Sequence, residues 1–107
     1  VDMIFGGSIT TVSVAIAPIA TEAKTTQIAI SPVGVPPDQE RWLFRLPQGF
    51  AVMAHPIVEH MKKGGVKTVG FLGYTDAYGE LWLKEFTAQA EKAGIKVVAT
   101  ERFARSD

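Results

Sequence analysis

The stretch 68–79, Thr-Val-Gly-Phe-Leu-Gly-Tyr-Thr-Asp-Ala-Tyr-Gly, constrains the fold of this chain more than any other. It reads as a buried strand, a tight polar turn and the start of a helix. Residues 68–72 form a short apolar run of the kind found in a sheet covered on both faces. Gly73 follows, a residue free to take backbone angles that others avoid. Thr75 or Asp76 then offers a short side-chain oxygen to an orphan N–H in the first turn of the helix. Ligands of open parallel sheets sit beyond the carboxyl ends of the strands, and Tyr74, Thr75, Asp76 and Tyr78 fall there. Two phenols, a hydroxyl and a carboxylate in one turn make this the leading site candidate. An ordinary capped helix start would read the same way.

Composition narrows the function classes. The chain has 107 residues, 47% of them hydrophobic, enough for a modest domain with a core. Eleven Lys and Arg balance eleven Asp and Glu, so the formal net charge is zero. That argues against the basic stripe of a nucleic-acid binder and gives no attraction to an anionic membrane. There is no cysteine, which removes disulfides, thiolate metal sites and cysteine nucleophiles but leaves the redox compartment open. No apolar run reaches the length of a membrane span. No signal peptide is visible, because the chain begins directly on strand-like residues. It opens without an initiator methionine and stops just after another strand, so we expect an excised piece of a longer protein.

Taken in order, residues 1–5 read as a strand broken by Gly6-Gly7. Ser8, Thr10 and Thr11 offer N-cap hydroxyls to a helix running to about Lys24. Its apolar positions Val12, Ala15, Ile16, Ile19, Ala20 and Ala23 have helical spacing, and Pro18 predicts a kink or break near Ala17. Residues 27–30 form a second strand and complete a βαβ unit. The Pro-rich segment 31–41 is a loop, residues 42–45 are extended, and a hinge or boundary is placed at 46–49 beside Pro47. A helix over about 49–63 carries Met53, Ile57, Val58 and Met61 as its stripe, with a kink expected at Pro56. Gly64 or Gly65 suits its C-cap. After the organising strand, a helix over about 78–93 buries Trp82, Phe86, Ala90 and Ala93, with Glu80 and Lys84 as an i,i+4 pair. Gly94 ends it, 95–100 is a strand, and 101–107 reads as a tail.

Several chemistries fail on spacing. His55 and His60 are five apart and do not share a helix face as metal ligands would. Gly6-Gly7-Ser8-Ile9-Thr10-Thr11 lacks the Lys and the spacing of a phosphate-binding loop, and no dinucleotide fingerprint follows either strand. There is no G-x-S-x-G elbow. Nothing supports an enzyme or a cofactor. A helix start bearing Thr10 and Thr11 can still hold a carboxylate, or one of them simply caps the helix. Trp82 and Phe86 at helical spacing read as core rather than as a cofactor box.

The order of motifs resembles a known family. A strand, Gly6 and a hydroxyl-rich turn precede Ala17-Pro18-Ile19-Ala20-Thr21-Glu22-Ala23 and Gln27-Ile28-Ala29-Ile30-Ser31-Pro32. Phe44-Arg45 with Pro47, Val66-Lys67-Thr68-Val69-Gly70-Phe71, Asp76-Ala77-Tyr78-Gly79, Gly94-Ile95-Lys96-Val97-Val98 and Glu101-Arg102-Phe103-Ala104 follow. Together they look like a type I periplasmic solute-binding protein of the branched-chain amino-acid receptor group that serves ABC importers. The resemblance covers essentially the whole chain. It implies an α/β fold of Rossmann-like parallel-sheet βαβ units, with residues 1–47 part of a first lobe and 48–107 part of a second. It implies a periplasmic protein, two lobes that close on a small ligand, and an ABC permease as partner of the intact protein.

In such proteins the ligand carboxylate meets a first-lobe helix start, which maps on to Thr10 and Thr11. A second contact segment maps on to Val33, Gly34 and Val35, and the tyrosine of D-x-Y-G, here Tyr78, lines the cleft. Amino-acid binders usually carry a small residue and a Thr where this chain has Gly34-Val35. That departure weakens the case for an α-amino acid and opens the reading to an apolar or aromatic carboxylate. A ligand-sensing domain of a regulatory receptor shares the fold and is the alternative. A flavodoxin-like enzyme is the other rival, but no cofactor loop is found. Sheet edges and apolar helix faces left uncovered lead us to expect a homodimer, with exchange of the part after the hinge as one route to it.

Overall fold

The structure, a computed structural model, describes residues 1–106. The chain forms two compact units, Val1–Gly49 and Phe50–Asp107.

The N-terminal unit contains β1 (Met3–Phe5), α1 (Thr10–Glu22), β2 (Thr26–Ala29), a 3-10 turn (Pro37–Gln39) and β3 (Leu43–Arg45). The strands form one parallel sheet in the order β1-β2-β3, with Gln27 level with Ile4 on one side and Leu43 on the other. Ala29, Val33 and Leu43 form its apolar core.

The buried side of α1 is Thr10, Ser13, Ala17 and Ala20, whereas Val12 and Ile19 are exposed. The expected stripe is therefore rotated. Small side chains let the helix backbone approach the sheet, and the buried hydroxyls find partners there. No hydroxyl caps α1 either. The N-cap is Ile9, without a side-chain bond, because Thr10 and Ser13 turn inward. The helix runs unbroken through Pro18. Gly7 makes the entry to α1 possible. Its φ is +82°, and a Cβ there would stand 2.8 Å from Ser13 Cα.

The C-terminal unit contains α2 (Phe50–Lys63), β4 (Thr68–Tyr74), α3 (Ala77–Lys92) and β5 (Lys96–Phe103). Strands β4 and β5 pair in parallel. Val58 of α2, Phe86 and Ala90 of α3, and Ile95 form the core, against which Val69 and Phe71 of β4 pack. Both helices thus lie on one face of the strand pair. The alternating burial of β4 follows, and Leu72 on the other face is 71% exposed. The expectation of a strand covered on both faces does not hold within the unit.

Other expectations change for local reasons. Strand β5 continues to Phe103 because its pairing with β4 extends to Tyr74, so 101–103 is strand, not tail. Glu80 pairs with Arg102 at 2.5 Å rather than with Lys84, because β5 delivers that guanidinium to the first turn of α3. Gly73 lies inside β4 with no positive φ. What it supplies is space, since a Cβ would overlap the Phe71 ring. Of the two cap candidates, Thr75 and Asp76, it is Asp76 that caps α3, accepting the Gly79 N–H at 3.1 Å. At the other end Gly94, with φ +77°, lets Ile95 N–H return to the Ala90 carbonyl at 2.8 Å. Among the described residues, no helix is long and apolar enough to cross a membrane, and no group of three or more potential ligands could hold a metal.

Candidate functional site

The D-x-Y-G turn stands in an aromatic cluster. Tyr78, one turn into α3, has its ring centroid 5.7 Å from Phe50, 6.5 Å from Tyr74 and 6.5 Å from Trp82. Tyr74 lies 4.8 Å from Phe103 at the end of β5. These rings come together because α2 and β5 both deliver an aromatic residue to the carboxyl end of β4. They border an open cavity of about 570 Å³, lined chiefly by Phe71, Tyr74, Tyr78, Trp82, Phe86 and Phe103. That volume suits a small organic ligand, and apolar walls with a few polar tips are the usual construction of such sites. Phe86 is core, as expected, while Trp82 is half-buried and shared between core and cavity wall.

Asp76 and Arg105 hold the polar edge of this cluster. Asp76 Oδ1 accepts the Gly79 N–H, and its Oδ2 accepts Arg105 Nε at 2.5 Å. Partial burial raises the Asp76 pKa. The hydrogen bonds from Arg105 and Gly79 and the positive charge of Arg105 outweigh burial, so the net shift is downward. Gly79 allows the close packing behind this turn, since a Cβ there would meet the Tyr74 carbonyl carbon at 2.7 Å.

In the N-terminal unit the sequence-derived residues divide by access. Thr10 is buried, and its Oγ1 donates to the Pro32 carbonyl at 2.6 Å. Its single proton is therefore spent within the fold. Thr11 is exposed. The N-terminal N–H groups of α1 have no side-chain cap, which is the arrangement that accepts an anion at a helix start. Val33 turns its side chain into the core, and Gly34 and Val35 are half-buried.

Two supports of this region escaped the sequence reading. Ser13 Oγ and Ser31 Oγ lie 2.7 Å apart, Ser13 Oγ donates to the Gly7 carbonyl at 3.0 Å, and Gln27 Nε2 donates to the Ser13 carbonyl at 3.2 Å. Arg45 Nε donates to the Val33 carbonyl at 2.5 Å, while its two Nη groups grip Glu40 at 2.9 and 2.7 Å. Arg45 thereby ties the 33–35 segment to β3. A serine inside a helical pattern and an arginine at a strand end are too common to signal these roles. Arg105 was hidden in the same way, in a stretch read as tail.

The sequence profile of the periplasmic binding protein family matches residues 1–107, and the chain belongs to that family. Solved structures agree. An extracellular ligand-binding receptor from Rhodopseudomonas palustris is 45% identical, with a TM-score of 0.94 over 99% of this chain and 30% of that one. Another extracellular ligand-binding receptor, from R. palustris HaA2, is 44% identical with a TM-score of 0.92, over 99% of this chain and 30% of its own. More distant, at 28% identity and a TM-score of 0.79, is a solute-binding protein of an ABC transporter from R. palustris BisB5, solved in complex with 3,4-dihydroxy benzoic acid, with 97% of this chain and 29% of that one covered. The chain thus spans about 30% of the length of the solved relatives it matches. These relatives are binding proteins, not enzymes. A search of curated proteins finds no significant match.

Proposed function

We propose that the chain takes part in extracytoplasmic binding of a small solute destined for an ABC importer, and that the solute is a small carboxylate with an apolar or aromatic body. The family match over residues 1–107 carries the reading. Residues 1–47 and 48–107 are the parts of a first and a second lobe. Thr11 and the uncapped start of α1 are suited to a carboxylate. Thr10 joins them only by releasing its bond to Pro32. Gly34 and Val35 present backbone and small apolar surface, Val33 supports them from the core, and Tyr78 presents a ring. The aromatic lining beside Tyr78 supports an apolar or aromatic body over a branched-chain amino acid. It accords with the dihydroxybenzoate held by the BisB5 relative.

Thermal unfolding with added leucine, valine, benzoate or 3,4-dihydroxybenzoate tests the reading. A ligand at a hundred times its dissociation constant adds about 2.7 kcal/mol. Stabilisation by the aromatic acids alone is expected. Stabilisation by leucine or valine alone would restore the amino-acid ligand, and none with either set would remove the proposed class. Exposed Phe5 and Leu72 support a homodimer. Light scattering that shows a monomer at micromolar concentration would end that part of the proposal.

A further inference from the structure

Arg105 lies just beyond β5 and reaches back to the β4–α3 turn. Its Nε donates to Asp76 Oδ2 at 2.5 Å. The guanidinium carbon stands 4.1 Å from the centre of the Tyr74 ring and 5.7 Å from that of Tyr78. Asp76 in turn holds the Gly79 N–H. One cation therefore meets the carboxylate that caps α3, a ring on β4 and a ring on α3. Both rings line the cavity. The geometry suits a guanidinium, which lies flat on a phenol face while an edge N–H meets a carboxylate. A lysine ammonium has no such plane. The neighbouring Arg102–Glu80 pair makes an informative contrast. It also joins β5 to the first turn of α3 at 2.5 Å, but among the described residues its guanidinium lies over no ring.

We propose that Arg105 is a positioning residue for the aromatic cavity. It holds Tyr74 and Tyr78 in fixed orientation at the mouth and so presents their faces to the ring of an aromatic acid. It acts through those rings and needs no contact of its own with the ligand. The inference rests on the reading of Tyr78 as a ligand contact, and it is testable apart from that reading.

The test compares the chain with its Arg105→Ala, Arg105→Lys and Arg102→Ala variants by near-ultraviolet circular dichroism in the tyrosine band. Calorimetry measures 3,4-dihydroxybenzoate binding to each. Arg105→Ala is expected to lose much of the tyrosine signal and to bind the probe about tenfold more weakly, the scale of one charge-assisted aromatic contact. Added methylguanidinium should restore the signal to Arg105→Ala, but not when Asp76→Asn is also present. Arg102→Ala should match the parent chain. An unchanged tyrosine signal in Arg105→Ala, or an equal loss in Arg102→Ala, would overturn the proposal. If Arg105→Ala does not fold, Arg105→Lys decides: a parental spectrum and affinity there would overturn it, and an altered spectrum in a folded protein would support it. Absence of probe binding to the parent chain would sink the aromatic-acid reading, while the spectra and the rescue would still decide the role of Arg105.

Discussion

In the N-terminal unit α1 meets its sheet through Thr10, Ser13, Ala17 and Ala20; in the C-terminal unit α3 meets its strands through Gly79, Phe86 and Ala90. The plan, helix on parallel strands, is the same. The means of attachment differ. Hydroxyls in the first unit are consumed in joining α1 to the segment after β2, so α1 starts without a side-chain cap. In the second unit the joining is done by apolar groups, Phe86 the largest of them, which leaves Asp76 free to cap α3 and to take Arg105. Where a polar side chain serves packing it is lost to the helix end, and where packing is apolar the helix end keeps its polar residue. The uncapped start of α1 and the ring-lined mouth beside α3 are two candidate surfaces of different character, and that one difference accompanies them.

The contrast can be broken most severely at Phe86. Phe86→Ala removes the largest buried side chain of the C-terminal core, at an expected cost of about 3–5 kcal/mol. Denaturant unfolding measures it, and a loss below about 1 kcal/mol would show that apolar packing does not hold α3.

The glycines come next. A Cβ at Gly79 would press on the Tyr74 backbone, and one at Gly7 on Ser13 Cα. Each Ala variant should lose about 3 kcal/mol, the upper end of overpacking costs. Hydrogen exchange should show the loss from Gly79→Ala in α3 and that from Gly7→Ala in α1. Loss of protection in the opposite element would contradict the assignment.

Ser13→Ala sharpens the polar side of the comparison. It leaves the Ser31 hydroxyl and the Gly7 carbonyl without a buried partner, at about 1–3 kcal/mol. The double variant with Ser31→Ala should cost less than the sum of the two single ones, since the two hydroxyls serve each other. Additive losses would mean that the pair is not coupled.

The smallest effect is the response to acid. Asp76 titrates below its ordinary 3.8 for the reasons given above. Glu40 titrates below its ordinary 4.5 mainly through the hydrogen bond from Arg45, against a smaller opposing effect of burial. A lowered folded pKa means that the unfolded chain takes up the proton first. Each carboxylate therefore contributes stability above its ordinary pKa and loses it as pH falls through the folded value. Asp76→Asn and Glu40→Gln should each flatten the stability profile below about pH 4.5 and leave its slope near neutrality unchanged. The groups that face Asp76 are Arg105 and the N–H groups of Gly79 and Tyr78, so Arg105→Ala should flatten the same limb. An acid limb of unchanged slope in Asp76→Asn would show that the pair with Arg105 does not form in solution.

What the sequence determined by itself was local. The βαβ order, the Asp76 cap, the helix exit at Gly94 and the D-x-Y-G turn depend on neighbours within one turn or one strand. Such features follow from periodicity, short polar side chains and backbone freedom. Tertiary structure decided which face of α1 is buried, because only the partners Pro32, Ser31 and Gly7 make it favourable to bury Thr10 and Ser13. It decided that β5 runs to Phe103, since strand length depends on the partner strand. It also decided that Glu80 serves Arg102 and Asp76 serves Arg105, residues 22 and 29 positions away. In the candidate site, Tyr78 was legible from its motif, whereas the walls of its cavity were not. Phe71, Trp82 and Phe103 come from three elements, and their convergence is a property of packing that no local pattern encodes.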